Sequence, residues 1–138
     1  MTFMPWKDEY SVGVQLFDDQ HQKMFQFIND LNDAMMDVEE QAVLFAIIEG
    51  LMEYTKKHFK DEEDNLRRHC FSGLAEHEAE HQKLTKSVID FSVENKNHDS
   101  SVTVKVMDFL YHWITDHILD SDKKYSEFLK GKEIIGDV

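Results

Sequence analysis

The chain has 138 residues, 41% of them hydrophobic and 31% charged, with 28 acidic against 15 basic side chains and a formal net charge of -13. That length suits one domain able to bury its own core, and an acidic balance without a basic face excludes a phosphate-tracking surface, so no nucleic-acid partner is expected. The lone Cys70 cannot close an internal disulfide, the start MTFMPWKDEY lacks a basic region leading into an apolar run, and the longest apolar run, AVLFAII, is too short to span a bilayer. These features predict a cytoplasmic protein with no membrane partner, organised as a single domain over residues 1–138.

Residues 1–16 contain Pro5, Trp6, Tyr10 and Gly13 and show no sustained helical period. They predict an extended arm whose aromatic rings pack on the body. From Asp18, an N-cap by residue type, to about Asp37, inward positions recur at Phe17, His21, Met24, Ile28, Leu31 and Met35. Alternating steps of four and three mark the seam of a bundle helix. A second helix is expected from about Glu40 to Arg68, with Leu44, Ile48, Leu51, Thr55, His58 and Glu62 on its seam.

The segment HCFSGL carries the break, with Ser72 and Gly73 as turn residues. A third helix follows from about Leu74 to Asn95, with the seam His77, His81, Leu84, Val88 and Phe91. The polar ENKNHDSS is a loop, and Ser100 or Ser101 can cap a fourth helix. That helix carries Val106, Leu110, Trp113 and His117 inward and continues through Tyr125 and Phe128 to Gly131. The last residues, 131–138, are expected to fray. The fold class is therefore all-α: an up-down-up-down antiparallel four-helix bundle over about 17–130, preceded by the arm and followed by a short tail.

In that topology the start of the first helix, the end of the second, the start of the third and the end of the fourth meet at one end of the bundle. His21, His58, Glu62, His77, His81 and His117 all fall there. A histidine and a carboxylate four apart on a helix lie about 40° apart around the axis and can reach one ion, as at His58 and Glu62. Inward ionisable groups are costly unless paired or coordinated, and five histidines with two carboxylates exceed what one ion needs. The absence of thiolates counts against structural zinc, and mixed imidazole and carboxylate donors fit a pair of irons.

Ligand balance bears on the reaction. Carboxylate-rich sites suit oxygen cleavage, whereas here neutral imidazoles outnumber anions, which favours the ferrous pair and reversible oxygen binding. Met24, Phe59, Trp113, Ile114 and Ile118 are candidates for the wall of a dry pocket beside the ligands. His69, His98 and His112 read as ordinary turn, loop and off-seam residues, and Cys70 as an incidental thiol. For the second acidic ligand, spacing alone selects Asp120, about 60° from His117 on a straight helix, over Asp122 at about 140°.

The chain resembles the hemerythrin family, in its bacterial single-domain form, from Trp6 to about Leu129. The matching pieces are W-x3-Y-x2-G (Trp6, Tyr10, Gly13), D-x-Q-H (Asp18, Gln20, His21), H-F-x2-E-E (His58, Phe59, Glu62, Glu63), H-x3-H (His77, His81) and W-x3-H-I-x3-D-x2-Y (Trp113, His117, Ile118, Asp122, Tyr125). The resemblance implies that His77, His81 and His117 hold one iron and His21 and His58 the other. Glu62 and Asp122 would bridge both beside an oxo or hydroxo ion, and dioxygen would bind at the two-histidine iron. Preferring Asp122 in this way implies a fourth helix locally widened by a π-bulge.

It further implies a non-enzymatic, monomeric oxygen carrier without a protein nucleophile or acid–base group. Its role would be storage, delivery to an oxygen-using enzyme, or scavenging, with a reductase as a further partner. The competing classes are a di-iron redox enzyme (peroxidase, oxidase or nitric-oxide handling) and an oxygen or redox sensing module; the lack of an output domain counts against the sensor.

Overall fold

The computed structural model describes residues 2–35, 37–97 and 100–136. Four rods are present: α1 (Gln15–Ala34), α2 (Glu40–Arg68), α3 (Leu74–Lys96) and a composite fourth rod. The last runs through α4 (Val102–His112), a π-helical stretch (Trp113–Asp122) and α5 (Lys123–Leu129). Among the described residues there is no strand. α1 packs on α2 and α4, and α3 on α2 and α4, which makes a four-sided antiparallel bundle.

The seams account for this packing. Every predicted inward residue of α2 is buried, from Leu44 through Thr55 to Glu62, as are Val106, Leu110, Trp113 and His117 in the fourth rod. α3 carries a thinner stripe, with His77, His81 and Val88 buried and Leu84 and Phe91 half-buried. Together they enclose two apolar clusters. The larger fills the bundle interior with Met24, Ile28, Leu51, Phe59, Val106, Trp113, Ile114 and Ile118 among others. The smaller, Val12, Val14, Phe17, Leu66, Tyr125 and Leu129, closes one end.

The arm packs as its aromatics predict: Tyr10 and Trp6 lie edge-on to Phe25 at 4.6 and 5.2 Å. Gly13 turns it into α1 at φ +76°, where an L side chain is strained. Its end is held by the fourth rod, since the Ser126 hydroxyl donates to the Val12 carbonyl at 2.7 Å and Lys123 Nζ to that of Ser11 at 2.5 Å.

Three sequence expectations need correction. The first helix starts at Gln15, not at an Asp18 N-cap, and stops at Ala34, short of Asp37. Asp18 lies inside the first turn and reaches back, accepting from the Val12 N–H at 2.8 Å and the Ser11 hydroxyl at 2.5 Å. It still satisfies donors at the helix entrance, but arm donors rather than those of its own helix. The tail is not frayed as far as residue 136: the buried Asn65 amide donates to the Ile135 carbonyl at 2.9 Å and accepts its N–H at 2.8 Å. At the α2–α3 break, Ser72 and Gly73 form the turn, but the helix is stopped by Cys70 in the left-handed region at φ 60°. The loop residue His98 lies outside the described residues. No helix among those described is long and apolar enough to cross a membrane.

Candidate metal centre

Between the two apolar clusters lies a polar layer. His21 from α1, His58 and Glu62 from α2, His77 and His81 from α3, and His117 and Asp122 from the π-helical stretch converge there, and all seven are buried. Antiparallel connections bring the start of α1 and α3 to the same level as the end of α2 and the fourth rod, as the spacing predicts. The ligand atoms form two overlapping groups, Glu62, His77, His81, His117 and Asp122, and His21, His58, Glu62 and Asp122, with all atoms of each group within 4.8 Å of one another.

The carboxylates divide themselves between the groups. Glu62 turns Oε2 to His21 Nε2 (3.2 Å) and His58 Nε2 (3.0 Å), and Oε1 to His77 Nε2 (3.0 Å) and His81 Nε2 (3.2 Å). Asp122 turns Oδ2 to His21 Nε2 (3.1 Å), and Oδ1 to His77 Nε2 (3.2 Å) and His117 Nε2 (3.1 Å). Asp120, favoured by straight-helix spacing, is exposed. The i→i+5 pattern of the widened stretch is what brings residues five apart onto one face.

The donor set is chemically incomplete without cations. Both Asp122 oxygens, His81 Nε2 and His117 Nε2 are fully buried and make no hydrogen bond, despite their short contacts. Buried polar atoms of this kind are normally satisfied. A positive ion on each side of the carboxylates would satisfy them, so the residues fit a metal pair.

In the metal-free chain, protons stand in for that charge. Burial lowers the pKa of His21, His77 and His117, but Asp122 outweighs it, helped by Glu62, and raises them to about 9, 9 and 10. His58 is lowered, chiefly by burial. Glu62 and Asp122 are held well below the carboxylate range; burial opposes this, and the surrounding histidines prevail.

An outer ring surrounds these seven residues; Gln20, Glu63 and Tyr125 stand in the matching sequence pieces without a stated role, and Glu80 and Ser121 escaped sequence reasoning. His58 Nδ1 meets Gln20 Oε1 at 2.5 Å, His81 Nδ1 meets Glu63 Oε2 at 2.6 Å, and His117 Nδ1 meets Glu80 Oε1 at 3.2 Å. The Tyr125 hydroxyl donates to Glu62 Oε2 at 2.6 Å, and the Ser121 hydroxyl to Glu80 Oε1 at 2.7 Å. Such contacts fix ring orientation and tune donor strength. Gln20 and Glu63 directly adjoin ligands or motif residues, which is a usable signal. Glu80 gave none beyond preceding His81.

Of the expected pocket wall, Phe59 stacks on His81 with ring centres 3.8 Å apart and planes 6° apart, and Trp113 stacks on Phe59 at 5.3 Å. Met24, Ile114 and Ile118 are fully buried in the same cluster. His69 and His112 are outside the layer, as expected. His69 pairs with the Glu133 carbonyl at 2.7 Å, and the exposed His112 lies between Asp108 and Asp116.

Comparison with known proteins gives a consistent result. The hemerythrin HHE cation binding domain matches residues 12–129. Bacteriohemerythrin of Clostridium acetobutylicum is 32% identical over 124 residues, covering 87% of this chain and 96% of that one. Bacteriohemerythrin of Methylococcus capsulatus is 28% identical over 130 residues, covering 94% and 98%. Myohemerythrin of Sipunculus nudus is 28% identical over 127 residues, covering 92% and 91%. Among solved structures, a wild-type hemerythrin superposes with a TM-score of 0.74 at 29% identity, over 94% of this chain and 99% of that one.

Proposed function

The chain belongs to the hemerythrin family, and from that premise we propose that it binds dioxygen reversibly at a non-haem di-iron centre, for storage, delivery or scavenging, and is not an enzyme. In this reading His77, His81 and His117 hold one iron, His21 and His58 the other, and Glu62 and Asp122 span both. The observation that carries it is the convergence of five buried histidines and two buried carboxylates into two overlapping groups that share Glu62 and Asp122, the atoms of each group lying within 4.8 Å of one another.

When bound, an iron pair would supply the electrons that oxygen binding borrows and returns. The chain's own residues do the rest. Glu62 and Asp122 neutralise charge and fix the separation of the two histidine sets, and the Tyr125 hydroxyl steadies Glu62. Met24, Phe59, Trp113, Ile114 and Ile118 keep water from the layer on one side, and Phe17, Leu66 and Leu129 do so on the other. Exclusion of water slows the proton-assisted loss of reduced oxygen. The reading extends to a monomeric, cytoplasmic protein of one domain whose partner, besides dioxygen, is an oxygen-using enzyme or a reductase.

Metal analysis of anaerobically purified protein, followed by an optical oxygen titration, tests it. Two irons per chain and an oxygenated spectrum that reverses when oxygen is removed are expected. Rapid conversion to the oxidised form with peroxide release would replace it with redox turnover.

A further inference from the structure

The layer beside the metal centre is less apolar than its residue types suggest. Two of its side chains carry donors that meet nothing: the Tyr54 hydroxyl and the Trp113 indole N–H are fully buried and without a hydrogen-bond partner among the described residues. Buried phenol and indole groups ordinarily find an acceptor.

Their position is specific. Tyr54 lies four residues before His58 on α2, and the two rings stack at 5.0 Å with planes 22° apart. Trp113 lies four residues before His117, and its ring meets that of Tyr54 at 5.9 Å. Both belong to the cluster that holds Met24, Phe59, Ile114 and Ile118. Tyr54 as a whole is only 7% exposed.

A cleft of about 430 Å³ between α1 and α2 reaches this corner from outside; Gln20, Lys23, Glu53, Tyr54, Lys57 and His58 line it, and Lys57 is paired with Asp61 at 2.9 Å.

Resting on the di-iron reading above, we propose that the Tyr54 hydroxyl is the hydrogen-bond donor to a small anionic ligand held beside His58 on the two-histidine side. An apolar guest would leave that donor unmet. A ligand that carries or gains negative charge satisfies it, and a donor placed in advance costs no reorganisation when that charge arrives. Tyr54 thereby sets which ligands the centre prefers: charged or charge-accepting ones over neutral ones of the same size.

Azide titration of the oxidised, iron-loaded protein, wild type against Tyr54→Phe, is the test, with iron content and melting temperature read on the same samples. Tyr54→Phe should keep both irons and, metal-free, melt no lower than wild type, because it removes an unmet donor. It should bind azide about tenfold more weakly, the scale of one hydrogen bond to a charged acceptor. Unchanged azide affinity with both irons present would overturn the proposal. So would iron loss or a lowered melting temperature in Tyr54→Phe, which would make the hydroxyl a structural support. Wild-type protein without an iron pair would overturn the di-iron reading and this inference together, and iron analysis detects that before azide is added.

Discussion

The two histidine sets of the centre are not equivalent halves. On one side, His81 and His117 present their outer nitrogens to the carboxylates of Glu63 and Glu80. On the other, His58 meets only the neutral amide of Gln20, and His21 Nδ1 is buried without a partner. A carboxylate behind an imidazole both orients it and increases its donor strength, whereas an amide orients it without adding charge. The three-histidine side is thus the stronger and more firmly held donor set. The two-histidine side is weaker, has fewer histidines, and has the Tyr54 ring, with its unmet hydroxyl, stacked on His58.

The largest way to break this asymmetry is to remove what both sides share. Glu62→Ala is expected to lose both irons, measured as metal per chain, because each Glu62 oxygen serves a different set. Retention of two irons with an unchanged spectrum would take Glu62 out of the bridge.

Removing the metal instead should expose the protons that replace it. His21, His77 and His117 bind protons more tightly folded than unfolded, so their contribution is complete below about pH 6.5 and is lost as pH rises through about 9 to 10. Glu62 and Asp122, whose pKa values are lowered, contribute above about pH 4 and lose that contribution on acidification. A melting series on chelated protein should therefore fall from neutral to alkaline pH. Iron loading near pH 7 should release roughly three protons from these histidines, readable by pH-stat.

Next in size, Glu63→Ala should weaken metal binding about ten- to a hundredfold in chelator competition, and Glu80→Ala somewhat less, because Glu80 is partly exposed. Glu63→Gln should recover much of the orientation but not the charge, which separates the two contributions. Gln20→Leu should cost less than Glu63→Ala, and its effect should fall on the weaker side; an equal loss would remove the asymmetry. His112→Ala, on the exposed face with Asp108 and Asp116, should leave metal content and spectrum unchanged.

What could be read from residues alone follows the same division between periodic and irregular structure. The seams of α2 and α3, and the meeting of distant histidines at one bundle end, follow from 3.6-residue periodicity and short antiparallel connections. Asp122 did not, because spacing on an ideal helix points to Asp120; only family likeness selected it, and the π-helical stretch supplies the physical reason. The entrance to α1 was misread because Asp18 serves the arm rather than capping its own helix. The tail was misread because Asn65, amid charged residues, gave no sign that its buried amide grips Ile135. Glu80 and Tyr54 were passed over for a shared reason. A side chain that matters through a second side chain, or through a partner it lacks, leaves no periodic trace.

The wide pitch of residues 113–122 also means that one juxtaposition has two solutions. Wound at ordinary pitch with the same residues, the rod would turn Asp122 about 140° away from His117. A helix one residue shorter between them would instead set the pair four apart, the spacing that already serves His58 and Glu62, so the extra residue and the widened turn compensate each other and can be gained or lost only together.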